Sequence, residues 1–394
     1  EHAPTELLVQ FYAGFDDSAK ARALARVQGQ ILEVVVSGKG RSDNRGDLVR
    51  VKLPPGLSIQ EAIDRLGLES IIEYAEPNWV YQHQATSNDP YVTNGSLWGM
   101  TGTFGSGAQT AWTNNKTDCS AVYVGIIDEG YMYTHEDLSA NAGTNPGELV
   151  NGKDDDGNGY IDDVYGWDFD GNNSSVFDGV DDDHATHVAG TIAGVGSNGK
   201  GIAGVCWKLK LLGAKFLGKS GGTTANAIKA IDYFTNLKTR AVNPLNIVAT
   251  NNSWGGGGYS QALSDAISRA GTANILFVAA AGNNGGNNDT SASYPSGYGS
   301  ANVIAVAAID SAGGLASFSQ YGATTVDIGA PGVGIISSVP VRSGKSVVSG
   351  YASYDGTSMA TPHVTGAVAL YKALNPSATA LEIKNAILGA ATPT

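Results

Sequence analysis

The stretch DDDHATHVAG, residues 181 to 190, sets three carboxylates against two histidines spaced i, i+3. Two chemistries use such a set: a divalent metal site, or a general base that needs a carboxylate and a nucleophile from elsewhere in the chain. The helix of zinc proteases spaces its histidines i, i+4 around a Glu, and H-x-x-H has neither feature. For the base reading, DGTSMATPHV at 355 to 364 supplies Ser358 among small residues, with an apolar periodicity continuing through Val364, Val368 and Tyr371. Pro362 then fits the first turn of a helix, where a missing N–H costs little. Ser358 would lie at the positive end of that helix, which favours negative charge near its oxygen. Taken alone, Ser358 reads as a plain N-cap serine. A serine attacks only when a base takes its proton, and the base needs a carboxylate to fix its tautomer. Of the six histidines, His2 and His83 lie near the start, His135 follows the turn after Asp128, and His363 falls inside the Ser358 helix. His184 and His187 remain.

These groups must be carried by regular elements, and the pattern beyond residue 88 supplies them. Short, nearly continuous apolar runs, AVYVGIID, KLLGAKFL, NIVATNNSWG, NILFVAAAGN and NVIAVAAID, alternate with helical stretches such as TTANAIKAIDYFTNLK and QALSDAISRAG. Strands apolar throughout are buried on both faces, so the expected fold is α/β, a doubly wound parallel sheet with helices on both sides. Ligands then bind beyond the carboxyl ends of the strands. Asp128 ends VYVGIID and Asn283 follows LFVAAAG, although each by itself also reads as a turn or loop residue. Residues 6 to 83 follow a different order: strand ELLVQF, helix DDSAKARALARVQ, strands QILEVVV and DLVRVKLP, helix SIQEAIDRLG, strand IIEYAEPNWVYQH. That is a small α+β unit. The polar QATSNDPYVTNGS follows it, placing a boundary at 84/85.

With 42% hydrophobic and 15% charged residues over 394 positions, the chain packs a real core in two units. The longest apolar run, 274 to 282, is far below the roughly 20 residues of a membrane helix. The net charge of −13 is concentrated, since 16 acidic residues lie between Asp128 and Asp183 against the single Lys153. Such an excess repels nucleic acid and invites cations. Two cysteines, Cys119 and Cys206, leave buried thiols or one bridge as alternatives. The opening EHAPTELLVQF has neither the basic start nor the apolar stretch of an export signal, so localisation is argued from other features.

VYVGIIDEG, HATHVAGT, AAAGNNG and GTSMATPHV, in that order, resemble the four signature regions of the subtilisin-like serine proteases. The resemblance implies that Ser358 is the nucleophile, His184 the general base, Asp128 its orienting carboxylate, and Asn283 the side-chain donor to the oxyanion. His187 is then a structural histidine, and Asp181 to Asp183 a solvated helix start, with a cation as the alternative. The chain departs from the family in Glu129 after the aspartate, an extra carboxylate that could raise the pKa of the base, and in Ala185 after the histidine. Members bind peptides as an added strand. The matching segments are Ser253, Trp254 and Gly255 on one side and Gly221, Gly222 and Thr223 on the other, unless SWGGGG is only a flexible loop. A cis peptide before Pro295 is also implied.

DDDGNGYIDD, residues 154 to 163, is close to a calcium loop, with Asp154, Asp156 and Asn158 alternating, Gly159, the Tyr160 position, then Asp162 and Asp163. Position twelve is Tyr165 rather than Glu, so it is no regular EF-hand, and a solvated acidic turn is the alternative. A second Ca2+ site is implied by resemblance: Asp89, Asp137, Asn198 and the carbonyls of Val195, Lys200 and Ile202. The first unit resembles the propeptide that assists folding of these proteases and inhibits them. Its tail would lie in the substrate cleft with Tyr81 in the fourth pocket, and cleavage is expected near Gln84 and Ala85. The resemblance thus implies a secreted monomeric serine endopeptidase, with peptide substrates, no nucleic-acid or membrane partner, and in that compartment a Cys119–Cys206 bridge. A catalytically silent relative and a calcium-dependent adhesion module are the competing readings.

Overall fold

The computed structural model describes residues 2–79 and 87–394; the expected cleavage positions Gln84 and Ala85, and Tyr81, lie outside them. The chain forms two compact units, Glu1–His83 and Gln84–Thr394.

In the first unit, β1 (His2–Tyr12), β2 (Gln30–Val36), β3 (Arg45–Lys52) and β4 (Ile72–Trp79) form an antiparallel sheet in the order β2-β3-β1-β4. Helices α1 (Asp17–Leu24) and α2 (Ile59–Leu66) carry one face, where Leu7, Val9 and Phe11 meet Leu24, Ala62 and Leu66. Both helices start on side-chain caps, Asp16 accepting from the Ala19 N–H and Ser58 from that of Glu61. The helical pattern expected as far as Gln28 ends earlier: a 3-10 turn covers Ala25–Val27, and Gln28 takes a left-handed φ of 50°.

In the second unit three short helices, α3 (Pro90–Thr93), α4 (Trp98–Thr101) and α5 (Ala108–Thr113), precede a seven-stranded sheet. Its strands are β5 (Asp118–Asp128), β6 (Gly166–Asp168), β7 (Lys208–Lys215), β8 (Ile247–Asn252), β9 (Leu276–Ala280), β10 (Val303–Ile309) and β11 (Ile328–Pro331). They run parallel in the order β11-β10-β9-β8-β5-β7-β6. This is the α/β fold expected from the apolar runs. Side chains alternate between two cores. Val124, Ile126, Leu276 and Val278 pack with α6 (Asp183–Ala193) and α9 (Thr357–Leu374), whereas Ile127, Phe277 and Ala279 pack with α7 (Thr224–Thr239) and α8 (Gln261–Thr272). At Gly125 a Cβ would come within 2.6 Å of the Phe234 ring, so only glycine lets α7 lie this close. A hairpin, β12 (Ile335–Ser343) and β13 (Ser346–Tyr354), leads into α9, and α10 (Ala380–Gly389) follows. Among the described residues no helix is long and apolar enough to cross a membrane.

Cys119 at the start of β5 and Cys206 before β7 are joined as a disulfide, with Cα atoms 5.9 Å apart and a sequence separation of 87. The Tyr294–Pro295 bond is cis. Pro362 differs from its expected place, lying in the second turn of α9 rather than the first. Its missing N–H deprives the Ser358 carbonyl of a donor, and the Ser253 hydroxyl fills the gap at 2.9 Å. The helix therefore continues through the proline because an adjacent strand end supplies the hydrogen bond.

Candidate active site

β5 ends at Asp128, which is fully buried. Its carboxylate accepts the Glu129 N–H at 2.8 Å and faces His184 Nδ1 at 3.0 and 3.1 Å. With Nδ1–H donating to Asp128, Nε2 of His184 is left as an acceptor. A cavity of about 370 Å3 is lined by His184, Asn283, Tyr354, Asp355 and Ser358, so the four residues named from the motifs converge from β5, α6, the β9 loop and α9. Ser358 Oγ donates to the Ser253 carbonyl at 3.0 Å rather than to His184. Rotation about its Cα–Cβ bond carries the hydroxyl into this cavity.

Asn283 is held by its oxygen. Oδ1 accepts from both the N–H and the hydroxyl of Thr357 at 2.9 Å, which turns Nδ2 away as a free donor beside Gly356. A second cavity, about 340 Å3, opens next to Ser358 and Asn283 and is lined by Ser253, Trp254 and Gly255. Gly221 and Gly222 lie in the exposed loop after β7, where Gly218 and Gly221 exchange backbone hydrogen bonds. Thr223 caps α7 by accepting from the Asn226 N–H at 3.2 Å.

The start of α6 is not the solvated acidic turn expected. Only Asp181 is exposed there, paired with Lys219 at 2.9 Å. Asp182 is buried and meets Lys215 Nζ at 2.5 Å, and the same Nζ donates to the Glu129 carbonyl at 2.6 Å and approaches Asp178 at 3.1 Å. Asp183 accepts the Tyr354 hydroxyl. Asp182 makes no cap with its side chain; instead Glu129 Oε1 accepts the backbone N–H of His184 at 2.7 Å. The departure from the family pattern at 129 thus places a carboxylate at the end of the base's own helix.

Charge at the site follows from this packing. Burial pulls the His184 imidazolium down, but the charge and hydrogen bond of Asp128, with Glu129 and Asp183 behind them, outweigh it and raise its pKa to about 9. Burial first, then the Asp128 charge, pushes Glu129 up to about 7. His187 is fully buried; its Nε2 donates to the Ile335 carbonyl at 2.8 Å, its ring stacks on Tyr354 at 4.6 Å, and burial pulls it down to about 3. The two histidines of H-x-x-H therefore serve different partners and do not converge on a metal.

The acidic loop holds one convergent set. Oxygens of Glu148, Asp154 and Asp156 lie within 4.8 Å of one another. Glu148 takes the N–H groups of Asp155, Asp156 and Asp162, and Asp154 those of Gly157, Asn158 and Gly159, three donors each for four lone pairs, whereas Asp156 takes four, the Asn158 N–H on Oδ1 and Asn145 Nδ2, Asn158 Nδ2 and the Arg240 guanidinium on Oδ2. Glu148 was not apparent in the sequence, because it lies outside the repeat and reaches the loop only through the fold. Two expected ligands turn elsewhere. Asp162 accepts the N–H groups of Asn151 and Gly152, and buried Asp163 accepts the Tyr233 hydroxyl at 2.7 Å. Asn158 donates to Asp163 at 2.9 Å, and the Tyr160 ring packs among Trp167, Phe169 and Tyr233.

The other expected site is also brought together, but Asp89 is filled. It accepts the Ser87 hydroxyl and the N–H groups of Ser197, Asn198 and Gly199, four donors for four lone pairs. Asp137 accepts from Asn198 Nδ2, the Ile202 N–H and the Tyr351 hydroxyl, while its carbonyl takes the Val195 N–H and the Lys200 N–H goes to Asn198 Oδ1. Asp89 does not fit a cation without losing donors.

Comparison with known proteins agrees with this architecture. Residues 120–394 match the model of the subtilase family, and residues 1–78 match the fervidolysin N-terminal prodomain. A thermophilic serine proteinase of Bacillus sp. is 32% identical over 367 residues, covering 93% of this chain and 77% of that one. An extracellular protease of Xanthomonas campestris is 32% identical over 400 residues, covering 95% of this chain and 66% of that one. A solved protease of Pseudoalteromonas arctica superposes with a TM-score of 0.57 at 31% identity, over 76% of this chain and 91% of that one. The chain belongs to the subtilase family. It is a serine protease with an N-terminal prodomain.

Proposed function

We propose that the protein is a secreted serine endopeptidase that cleaves peptide bonds through an acyl-enzyme and is made as a self-processed precursor. The carrying observation is the convergence of a buried Asp128–His184 pair with Ser358 and an oriented Asn283 amide around one cavity. Ser358 Oγ attacks the carbonyl while His184 Nε2 takes its proton; Asp128 holds the Nδ1–H tautomer and stabilises the imidazolium. Asn283 Nδ2 and the Ser358 backbone N–H, at the start of α9, receive the oxyanion. His184 then returns the proton to the leaving amine, and water repeats the cycle on the ester. The substrate lies as a strand along Ser253 to Gly255, with 221 to 223 as the opposite edge.

The first unit acts as the intramolecular inhibitor, and the junction near Gln84 and Ala85 is its first substrate. Export agrees with the disulfide and with the extracellular relative. Calcium, an oxygen-seeking cation, is proposed at Glu148, Asp154 and Asp156, where three carboxylates converge and Glu148, Asp154 and Asp156 Oδ1 each keep a lone pair, with Arg240 paired to the other oxygen of Asp156. Its role there is to hold the loop. A cation at Asp89 and Asp137 would have to displace hydrogen bonds, so the acidic loop carries the calcium proposal. The protein is taken to act as a monomer without nucleic acid or membrane.

The test is intact mass against time, in calcium, for the wild-type chain beside Ser358→Ala. Cleavage near residues 84 to 88 in the wild type alone supports both the nucleophile and self-processing. If a folded wild type neither splits nor cleaves added peptides, the proposal fails.

A further inference from the structure

The cavity beside Ser358 has a feature that the family motifs do not contain. A carbonyl carbon held between Ser358 Oγ and Asn283 Nδ2 has its own residue's Cβ two bonds away, so the side chain on the acyl side of the scissile bond enters the space adjoining both groups. That space is the cavity of about 340 Å3 running from Ser253 to Gly256, Gly282, Ser293 and Gln320. No Asp, Glu, Lys, Arg or His lines it. Its polar side chains are all neutral, and two of them, Gln320 and Ser293, carry oxygens that the other described residues leave unpaired.

A chain of hydrogen bonds sets the Gln320 amide. Asn288 Nδ2 donates to the Ala281 carbonyl at 3.0 Å, so Asn288 Oδ1 is an acceptor and receives Gln320 Nε2 at 2.6 Å. The Gln320 N–H donates to the Gly282 carbonyl at 2.8 Å, and the residue is only 7% exposed. With the nitrogen end fixed, Oε1 faces the other way, against Gly282, 1.6 Å from where a Cβ would stand on that residue. Gly282, at φ +115°, leaves the room for it. Ser293 Oγ lies 3.3 Å from the same point. Among the described residues neither oxygen has a hydrogen-bonding partner, and both residues line the cavity.

We infer that Gln320 and Ser293 select the residue on the acyl side of the scissile bond, favouring side chains that end in a neutral N–H or O–H donor, such as Gln, Asn and Tyr. The inference rests on the protease reading above. Oε1 is an acceptor in a site without cationic groups, so it repels a carboxylate. An ammonium entering there meets no counter-charge and loses its hydration. A side chain of the same shape without a donor leaves Oε1 unpaired as it displaces water, and the site discriminates against it.

Four peptides differing only at that position, Tyr against Phe and Gln against Met, test this with the purified chain. The expected kcat/KM ratios are about tenfold in favour of Tyr and of Gln, the size of one hydrogen bond to a desolvated acceptor. Gln320→Met, which keeps the length and removes the acceptor, brings both ratios close to one. Ser293→Ala, which leaves the Asn288 bond intact, lowers them in the same direction and serves if the first variant does not fold. Wild-type ratios at or below one overturn the inference, as do ratios unchanged in the variants. Cleavage of Phe and Met peptides with flat ratios overturns the selection alone; no cleavage of any of the four overturns the protease reading with it.

Discussion

Replacing Glu129 by Gln should move the pH–activity profile towards lower pH. His184 accepts a proton only when neutral, and its pKa is about 9, with burial opposing and Asp128 then Glu129 favouring the imidazolium. Below that value the neutral fraction falls about tenfold per pH unit, so kcat/KM should climb with pH and level off near 9. Glu129, pushed up to about 7, is anionic over the upper part of that climb. Removing its charge destabilises the imidazolium, so the limb shifts down and activity at neutral pH rises. Two unit charges about 6 Å apart at an effective dielectric of about 20 interact by about 2.8 kcal/mol, an upper limit of about two pH units. The His184 side chain is 30% exposed, and solvent screening reduces this to about one unit. Gln keeps an oxygen for the His184 N–H, so the helix end is retained. The assay is kcat/KM on one peptide from pH 5 to about 10.5 for both proteins. A limb that stays in place, or moves up, refutes the reasoning. Stability supplies a second readout. A carboxyl raised to about 7 favours the protonated folded form, so Glu129 costs stability as pH rises from its ordinary value to about 7, and the variant lacks that loss. The raised His184 contributes in the same sense over a higher window, stabilising fully below its ordinary value and losing that contribution as pH rises through about 9.

Asn283→Ala should lower kcat by about 100- to 1,000-fold with little change in KM, because the Nδ2 donor acts on the oxyanion; a raised KM with unchanged kcat would contradict that role. Replacing Cys119 and Cys206 by Ala opens a loop of 87 residues, worth about 4.6 kcal/mol by chain entropy, and should lower the denaturation midpoint without reductant. A midpoint identical to the wild type's would show that the bridge adds no stability. Chelation of calcium should lower the thermal midpoint, reflecting about 2.7 kcal/mol if free calcium stood at about 100 times Kd. Asp154→Asn should shrink that difference, and equal chelator sensitivity in both would place the ion elsewhere.

Much of the scaffold was legible because its signals are local. Continuous apolar runs such as VYVGIID and NILFVAAAG are what strands buried on both faces require, and the sheet uses alternate residues of each against opposite helix layers. Ser58 and Thr223 stand where caps are needed, and the motifs place Asp128 and Asn283 at or just beyond strand ends, from which Asn283 reaches the cavity and Asp128 reaches His184 at its edge. The 3-10 turn after α1 was not legible, since Ala25–Val27 continues the helical composition.

What the sequence determined by itself was the parallel α/β architecture, the separate antiparallel unit before it, and the groups able to do acyl-transfer chemistry, because period, apolarity and motif spacing depend on near neighbours. The tertiary structure alone decided which partner each polar group meets. Glu129 rather than Asp182 caps the base's helix, Ser253 supplies the bond that Pro362 withholds, Glu148 joins Asp154 and Asp156, and Asn288 turns the Gln320 oxygen towards the pocket. Buried donors and acceptors must be paired, but the pairing is settled by which elements pack together, and apart from Glu148 and its loop those partners lie 32 to 105 residues apart in the chain.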